Sequence, residues 1–123
     1  MAQSYRELLV WQKTQTLSVD IYRLTEQFPR VEIYGLTSQI RRAAVSVPSN
    51  IAEGQGRSTR GEFLHFLRQA RGSLLELDTQ LAIALDLNYL KADEHEKMDH
   101  KAYQVLGLLN RLIESLRTKP VKP

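Results

Sequence analysis

Across most of the 123 residues, aliphatic side chains recur alternately three and four positions apart, the period of an α-helix with one buried face. In the first segment Val10, Leu17, Ile21, Leu24 and Phe28 share one stripe with Thr14 between them, and Pro29 closes it because the residue before a proline avoids helical dihedrals. The first helix is therefore expected over about Tyr5 to Phe28. A second stripe, Leu36, Ile40, Ala43, Val47 and Ile51, predicts a helix over about Leu36 to Glu53. Gly54 and Gly56 stand at its end as candidate left-handed caps. Thr59 and Glu62 form a T-x-x-E capping box, from which Phe63, Leu67, Ala70, Leu74, Leu77, Leu81 and Ala84 keep the spacing to Asn88. Asp93 with Glu96 repeats the capping pattern. It opens a last helix, about Glu94 to Arg117, along Met98, Ala102, Val105, Leu109, Leu112 and Leu116.

No segment alternates with period two, so the class is all-α. Short connections make successive helices antiparallel neighbours, and the economical solution is an up-down-up-down antiparallel four-helix bundle. Length and composition agree with one domain over residues 1–123: 42% hydrophobic and 25% charged are ordinary for a globular chain. The tail 118–123 is expected to be a flexible basic extension, adding Lys119 and Lys122 to Arg117. The absence of Cys removes disulfides, thiolate metal sites and cysteine nucleophiles. A polar start and the lack of an apolar run of about 18 residues predict a cytoplasmic protein with no membrane partner.

The apolar residues exceed what one bundle core consumes. From Leu74 to Leu87, nine of fourteen positions are apolar, and Trp11, Tyr22, Leu106, Leu108 and Ile113 lie off the main stripes. One core uses about three sevenths of each helix, so a second apolar face that packs against other subunits is expected. The segment Tyr34 to Arg57, YGLTSQIRRAAVSVPSNIAEGQGR, adds a proline inside a helical pattern. Pro48 removes the hydrogen bond to the Ala44 carbonyl, yet the stripe continues in phase. The expectation is a continuous helix 2 kinked near Pro48, its freed carbonyls met by water or by Ser and Asn side chains. Opposite the stripe runs a polar one, Gln39, Arg42, Ser46, Asn50, Glu53 and Arg57.

The motifs LLVWQKT at residues 8–14, Phe28-Pro29, the segment from Tyr34 to Arg57, and GSLLELDTQL at residues 72–81 together give the sequence its identity. In order and spacing they resemble the bacterial four-helix bundle proteins known as 23S rRNA intervening-sequence proteins. The resemblance implies a bundle that assembles into a homopentameric ring, some members being encoded within insertions in ribosomal RNA genes. That family is also similar to the accessory subunit of diversity-generating retroelements, a basic pentamer that binds nucleic acid and a reverse transcriptase. RNA or single-stranded DNA is thus an expected partner, with a protein partner such as a polymerase or reverse transcriptase as the alternative.

The sequence offers little for catalysis. His95 with Asp99, and Glu96 with His100, have an i, i+4 spacing, but the pattern fits an acidic first turn complementing the helix dipole with solvated histidines. His65, between Leu64 and Phe66, suits an edge-of-core or interface position. Gly54-Gln-Gly56-Arg57 follows a helix and lacks the lysine of a phosphate loop. No enzyme activity, cofactor or metal is expected.

Residues 35–60 carry Arg41, Arg42, Arg57 and Arg60 against Glu53 alone, a surplus equal to the chain's whole net charge of +3. These four arginines are the candidate nucleic-acid contacts, by bidentate phosphate recognition, or else partners in subunit ion pairs. Gln39, Ser46, Pro48, Asn50, Glu53, Gly54, Glu76, Trp11 and Tyr22 are assigned structural or interface roles. Glu76 is expected to meet an arginine of helix 2 such as Arg42, and Asn50 and Glu53 to fasten the end of that helix.

Overall fold

The computed structural model describes residues 4–118; the tail beyond Thr118, for which a flexible basic extension was expected, lies outside them. Two 3-10 turns, Tyr5–Glu7 before the first helix and Arg30–Glu32 between the first and second, accompany four α-helices: α1 (Leu9–Thr25), α2 (Leu36–Gln55), α3 (Arg60–Asp86) and α4 (Ala92–Arg117). No strand occurs among the described residues. Each helix packs on its chain neighbours, α4 returns to α1, and α2 with α3 forms the most extensive pair. Cross-helix contacts step in opposite directions. From Gly54 through Ser46 to the approach of α2 at Glu32, the partners on α3 advance from Phe66 through Ser73 to Tyr89 just past its end. α2 and α3 therefore run antiparallel, and the same reversal holds where Ser18 and Thr25 of α1 meet Ala44 and Arg41 of α2, where Arg71 and Asp78 of α3 meet Asn110 and Asp99 of α4, and where Asp20 and Gln27 meet Lys101 and Glu94 of α4.

The stripes form the core. Val10, Leu17 and Ile21 of α1, Ile40, Val47 and Ile51 of α2, Leu67 to Ala84 of the α3 series, and Met98, Val105 and Leu109 of α4 are all buried. At the end of α4 the buried residue is Ile113, whereas Leu112 and Leu116 are half-buried. The core there advances in steps of four, from Val105 through Leu109 to Ile113.

Helix ends depart from expectation for local reasons. Leu8 is extended, so Tyr5–Glu7 is a separate turn capped by Ser4 and α1 starts at Leu9. Its last turn tightens into i to i−3 bonds through Phe28, and buried Phe28 leaves the helix to pack on Tyr89, ring centroids 5.5 Å apart. Thr59 caps α3 as expected, accepting from the Glu62 N–H at 3.1 Å. Asn88, at φ 63°, closes α3 in a Schellman arrangement: Tyr89 N–H donates to Ala84 and Asn88 N–H to Leu85, both at 2.9 Å. The start of α4 is corrected. Lys91 is the N-cap residue, and the Glu94 carboxylate accepts its backbone N–H at 2.8 Å, so Asp93 and Glu96 lie inside the helix.

Neither glycine at the end of α2 takes a left-handed conformation. Gly54 is buried within the last turn, and a Cβ there would lie 2.7 Å from Phe66 Cβ and 3.0 Å from Phe63 Cδ1. Its role is to let α3 approach closely. α2 also lacks a side-chain N-cap. Glu32 supplies one from the preceding turn, accepting from Leu36 N–H at 3.0 Å and from Tyr89 O–H at 2.7 Å. These two hydrogen bonds hold its carboxyl below the usual range, the Leu36 contact contributing most. A Cβ on Gly35 would fall 2.6 Å from that carboxylate.

Candidate functional site

α2 runs unbroken through Pro48. The carbonyl that the proline orphans, Ala44 O, accepts the Ser18 hydroxyl of α1 at 2.9 Å in a buried contact. The same hydroxyl lies 2.9 Å from Thr14 O, so one proton serves two carbonyls. The freed carbonyl is thus met from the neighbouring helix. Asn50 acts within α2, its Nδ2 donating to Ser46 O at 2.8 Å and Ser46 Oγ at 2.9 Å, while the Ser46 and Ser73 hydroxyls pair at 2.8 Å to join α2 to α3.

The four candidate arginines are not gathered on one surface. Arg41 is committed to α1: its Nε donates to Thr25 Oγ1 at 2.8 Å, its Nη2 to Tyr22 O at 3.1 Å, and its guanidinium lies 4.6 Å from the Tyr22 ring centroid. Arg42 points instead into the groove between α2 and α3. Arg57 pairs with Glu53 at 2.6 Å and covers the Phe66 ring at 4.8 Å. Arg57 and Arg60 sit exposed at the α2–α3 turn. Arg117 pairs with Glu114 at 2.7 Å on α4.

Grooves lie on both sides of α2. One, of about 530 Å³, lies between α1 and α2 and exposes Val19, Tyr22 and Val45 beside Arg41 and Pro48. Another, of about 470 Å³ between α2 and α3, is polar, with Ser38, Gln39, Arg42, Ser46, Ser73, Glu76 and Gln80 on its walls and Tyr34 at one end. Glu76 and Arg42 share it as the sequence suggests, but form no ion pair with each other. Trp11 is half-buried and meets Tyr5 edge-on at 5.1 Å. His65 is exposed against Phe66 and Gln69.

Sequence spacing did not reveal the α3–α4 seam. Asp78 lies against Leu74, Leu75, Ala102, Tyr103 and Leu106. Burial, then the hydrogen bond and repulsion from the Asp99 carboxyl, push its pKa up to about 6, with His95 opposing. On the α1–α4 side Lys101 Nζ meets Asp20 Oδ2 at 2.7 Å.

Charge is also segregated along the bundle. The half holding the α2–α3 turn, residues 4–15, 48–71 and 107–118, carries eight Lys and Arg against four Asp and Glu, a surplus of +4. Residues 16–47 and 72–106 carry seven against ten, or −3. Arg68, Arg71, Arg111 and Lys13 thus join Arg57 and Arg60 at the basic end, while Arg41 and Arg42 lie in the acidic half. No helix among the described residues is long and apolar enough to cross a membrane.

A four-helix bundle with exposed grooves, one polar and one apolar, and a basic end is the class of protein this geometry defines. The chain belongs to the 23S rRNA-intervening sequence protein family, whose profile matches residues 6–111. It is similar in fold to a solved protein of unknown function from the S23 ribosomal protein family of Bacteroides thetaiotaomicron VPI-5482. That likeness has a TM-score of 0.80 at 20% identity, covering 86% of this chain and 96% of that one. No curated protein matches the chain.

Proposed function

We propose that the protein is a non-enzymatic, homopentameric nucleic-acid-binding accessory protein acting on RNA or single-stranded DNA in the cytoplasm. The observation that carries this reading is the basic end, where eight cationic side chains outnumber four anionic ones. A polyanion releases counterions on meeting such a surface, and arginine gives bidentate phosphate contacts. Arg57, Arg60 and Arg68 are exposed there. Ring formation is supported by exposed apolar residues on different edges of the bundle, Val19, Tyr22 and Val45 on the α1–α2 edge and Leu75 and Tyr103 on the α3–α4 edge. Two unlike patches suit the head-to-tail contacts that close rings, and each copy would bring a further basic end.

Gel shifts with single-stranded RNA and DNA, run beside light scattering, test both parts. Binding at low salt should fall steeply with added salt, with a logarithmic slope of about 0.7 per phosphate neutralised on a single strand. Arg60→Glu with Arg68→Glu should weaken binding and leave the assembly mass unchanged. A monomer of 14.2 kDa at micromolar concentration would refute the ring. Absence of any shift at low salt would refute nucleic-acid binding and favour a protein-docking scaffold.

A further inference from the structure

The polar groove between α2 and α3 contains more unpaired chemistry than the bundle needs. Gln80 is only 8% exposed, yet its Oε1 has no hydrogen-bond donor among the described residues. An unpaired buried acceptor is costly. Glu76 and Arg42 are exposed on opposite walls and neither forms an ion pair among the described residues. Tyr34 stands at one end with its side chain 96% exposed. The Ser46–Ser73 hydroxyl pair and the close approach at Gly54 hold the two helices at a fixed separation, so the groove is preformed.

We propose that this groove holds a guanine base of single-stranded nucleic acid, an inference that rests on the nucleic-acid reading above. The walls offer acceptors at Glu76 and Gln80, a fork of donors at Arg42, and an aromatic face at Tyr34. Guanine is complementary to that set. Its N1–H and N2–H₂ donors face the same way and suit a carboxylate, while O6 and N7 form the acceptor pair that arginine reads bidentately. Adenine, cytosine and uracil each present fewer donors on that edge. Gln80 lines the groove, and rotation about its soft terminal torsion would bring its orphaned oxygen to that wall. Tyr34 provides the stacking surface that base recognition in single strands commonly uses. A bare phosphate fits less well, because Glu76 would repel it. The volume of about 470 Å³ is within the range of small-ligand sites.

Fluorescence anisotropy at low salt tests this with uridine oligomers carrying a few guanosines, and matched oligomers carrying inosine or adenosine, in RNA and DNA series. Guanosine should bind about tenfold more tightly than inosine, which lacks the N2 amino group, and adenosine should bind no better than inosine. The preference in either series supports the pocket and identifies the sugar it accepts. Glu76→Gln should abolish the guanosine preference while leaving basal, salt-sensitive binding, and Tyr34→Ala should weaken all base-containing ligands alike. Binding that is equal for all bases and unchanged by Glu76→Gln overturns the guanine pocket and leaves the nucleic-acid reading intact. No binding of any oligomer overturns both. A change in assembly mass for Glu76→Gln, with base preference unaltered, assigns the groove to a subunit interface and likewise overturns the proposal.

Discussion

Replacing Ser18 with alanine removes the one hydroxyl that, among the described residues, serves the carbonyl that Pro48 orphans. In the folded chain Ala44 O is buried, accepts from Ser18 Oγ at 2.9 Å, and has no backbone donor four residues on, because residue 48 has no N–H. Leaving such an acceptor unsatisfied costs about 1 to 3 kcal/mol. The Thr14 carbonyl keeps its place in the helical ladder, so the expected loss lies near the middle of that range, about 2 kcal/mol. For a chain of this size that lowers Tm by roughly 6 to 12 °C. The sharper test is a double-mutant cycle. Pro48→Ala restores an N–H that can donate to Ala44 O, so in that background Ser18→Ala should cost at least about 1 kcal/mol less. Urea unfolding of the four proteins at one fixed protomer concentration measures the coupling, the fixed concentration holding any assembly contribution constant. If the two substitutions are additive within about 0.5 kcal/mol, the Ser18 hydroxyl is not compensating for the proline and the reasoning fails.

Gly54→Ala should destabilise by about 1 to 2 kcal/mol despite the better helix propensity of alanine, because its Cβ meets Phe66 Cβ at 2.7 Å. Gly107→Ala, where nothing lies within 4 Å, is the control expected to gain a few tenths of a kcal/mol or more in urea melts. Equal effects at the two positions would discount the close approach. Asp78→Asn should raise Tm at pH 7 by a few degrees. Burial and the neighbouring Asp99 carboxyl raise the folded Asp78 carboxyl from its ordinary 3.8 to about 6, so the folded state binds the extra proton and stability falls as pH rises from about 4 to about 6. The variant should lose that slope in thermal melts across the interval, and a wild-type curve that is flat there would contradict it.

The core was legible because a buried helical face imposes its period on the sequence. Thr14 falls within an apolar stripe for that reason, and it is fully buried. At the end of α4, Leu112 and Leu116 pack half-buried against the core while Ile113 is buried; steps of three and of four are both occupied by aliphatic residues there, so phase alone cannot choose Ile113. Helix ends were less legible. Lys91 carries no cap signature of its own, since the work is done by the Glu94 carboxylate reaching back to its backbone. Among site residues, Arg41 and Arg42 look equivalent in sequence, but adjacent positions on a helix point about 100° apart. One therefore binds α1 and the other lines the groove against α3. The Ser18–Ala44 and Asp78–Asp99 contacts link residues far apart in the chain and leave no periodic trace.

The separation of charge along the bundle gives the molecule a direction. Neighbouring helices run in opposite senses, so their peptide dipoles largely cancel and the side chains set the far field. With +4 on one half and −3 on the other, and α3 alone reaching about 40 Å at 1.5 Å per residue, a polyanion exerts torque as well as attraction. Approaching protomers would be rotated before touching, the α2–α3 turn leading and the α3–α4 turn trailing. In a mixture of charged macromolecules, such alignment would act first on the rate of productive encounter, and raising the ionic strength would remove it by shortening the distance over which the turning force is felt.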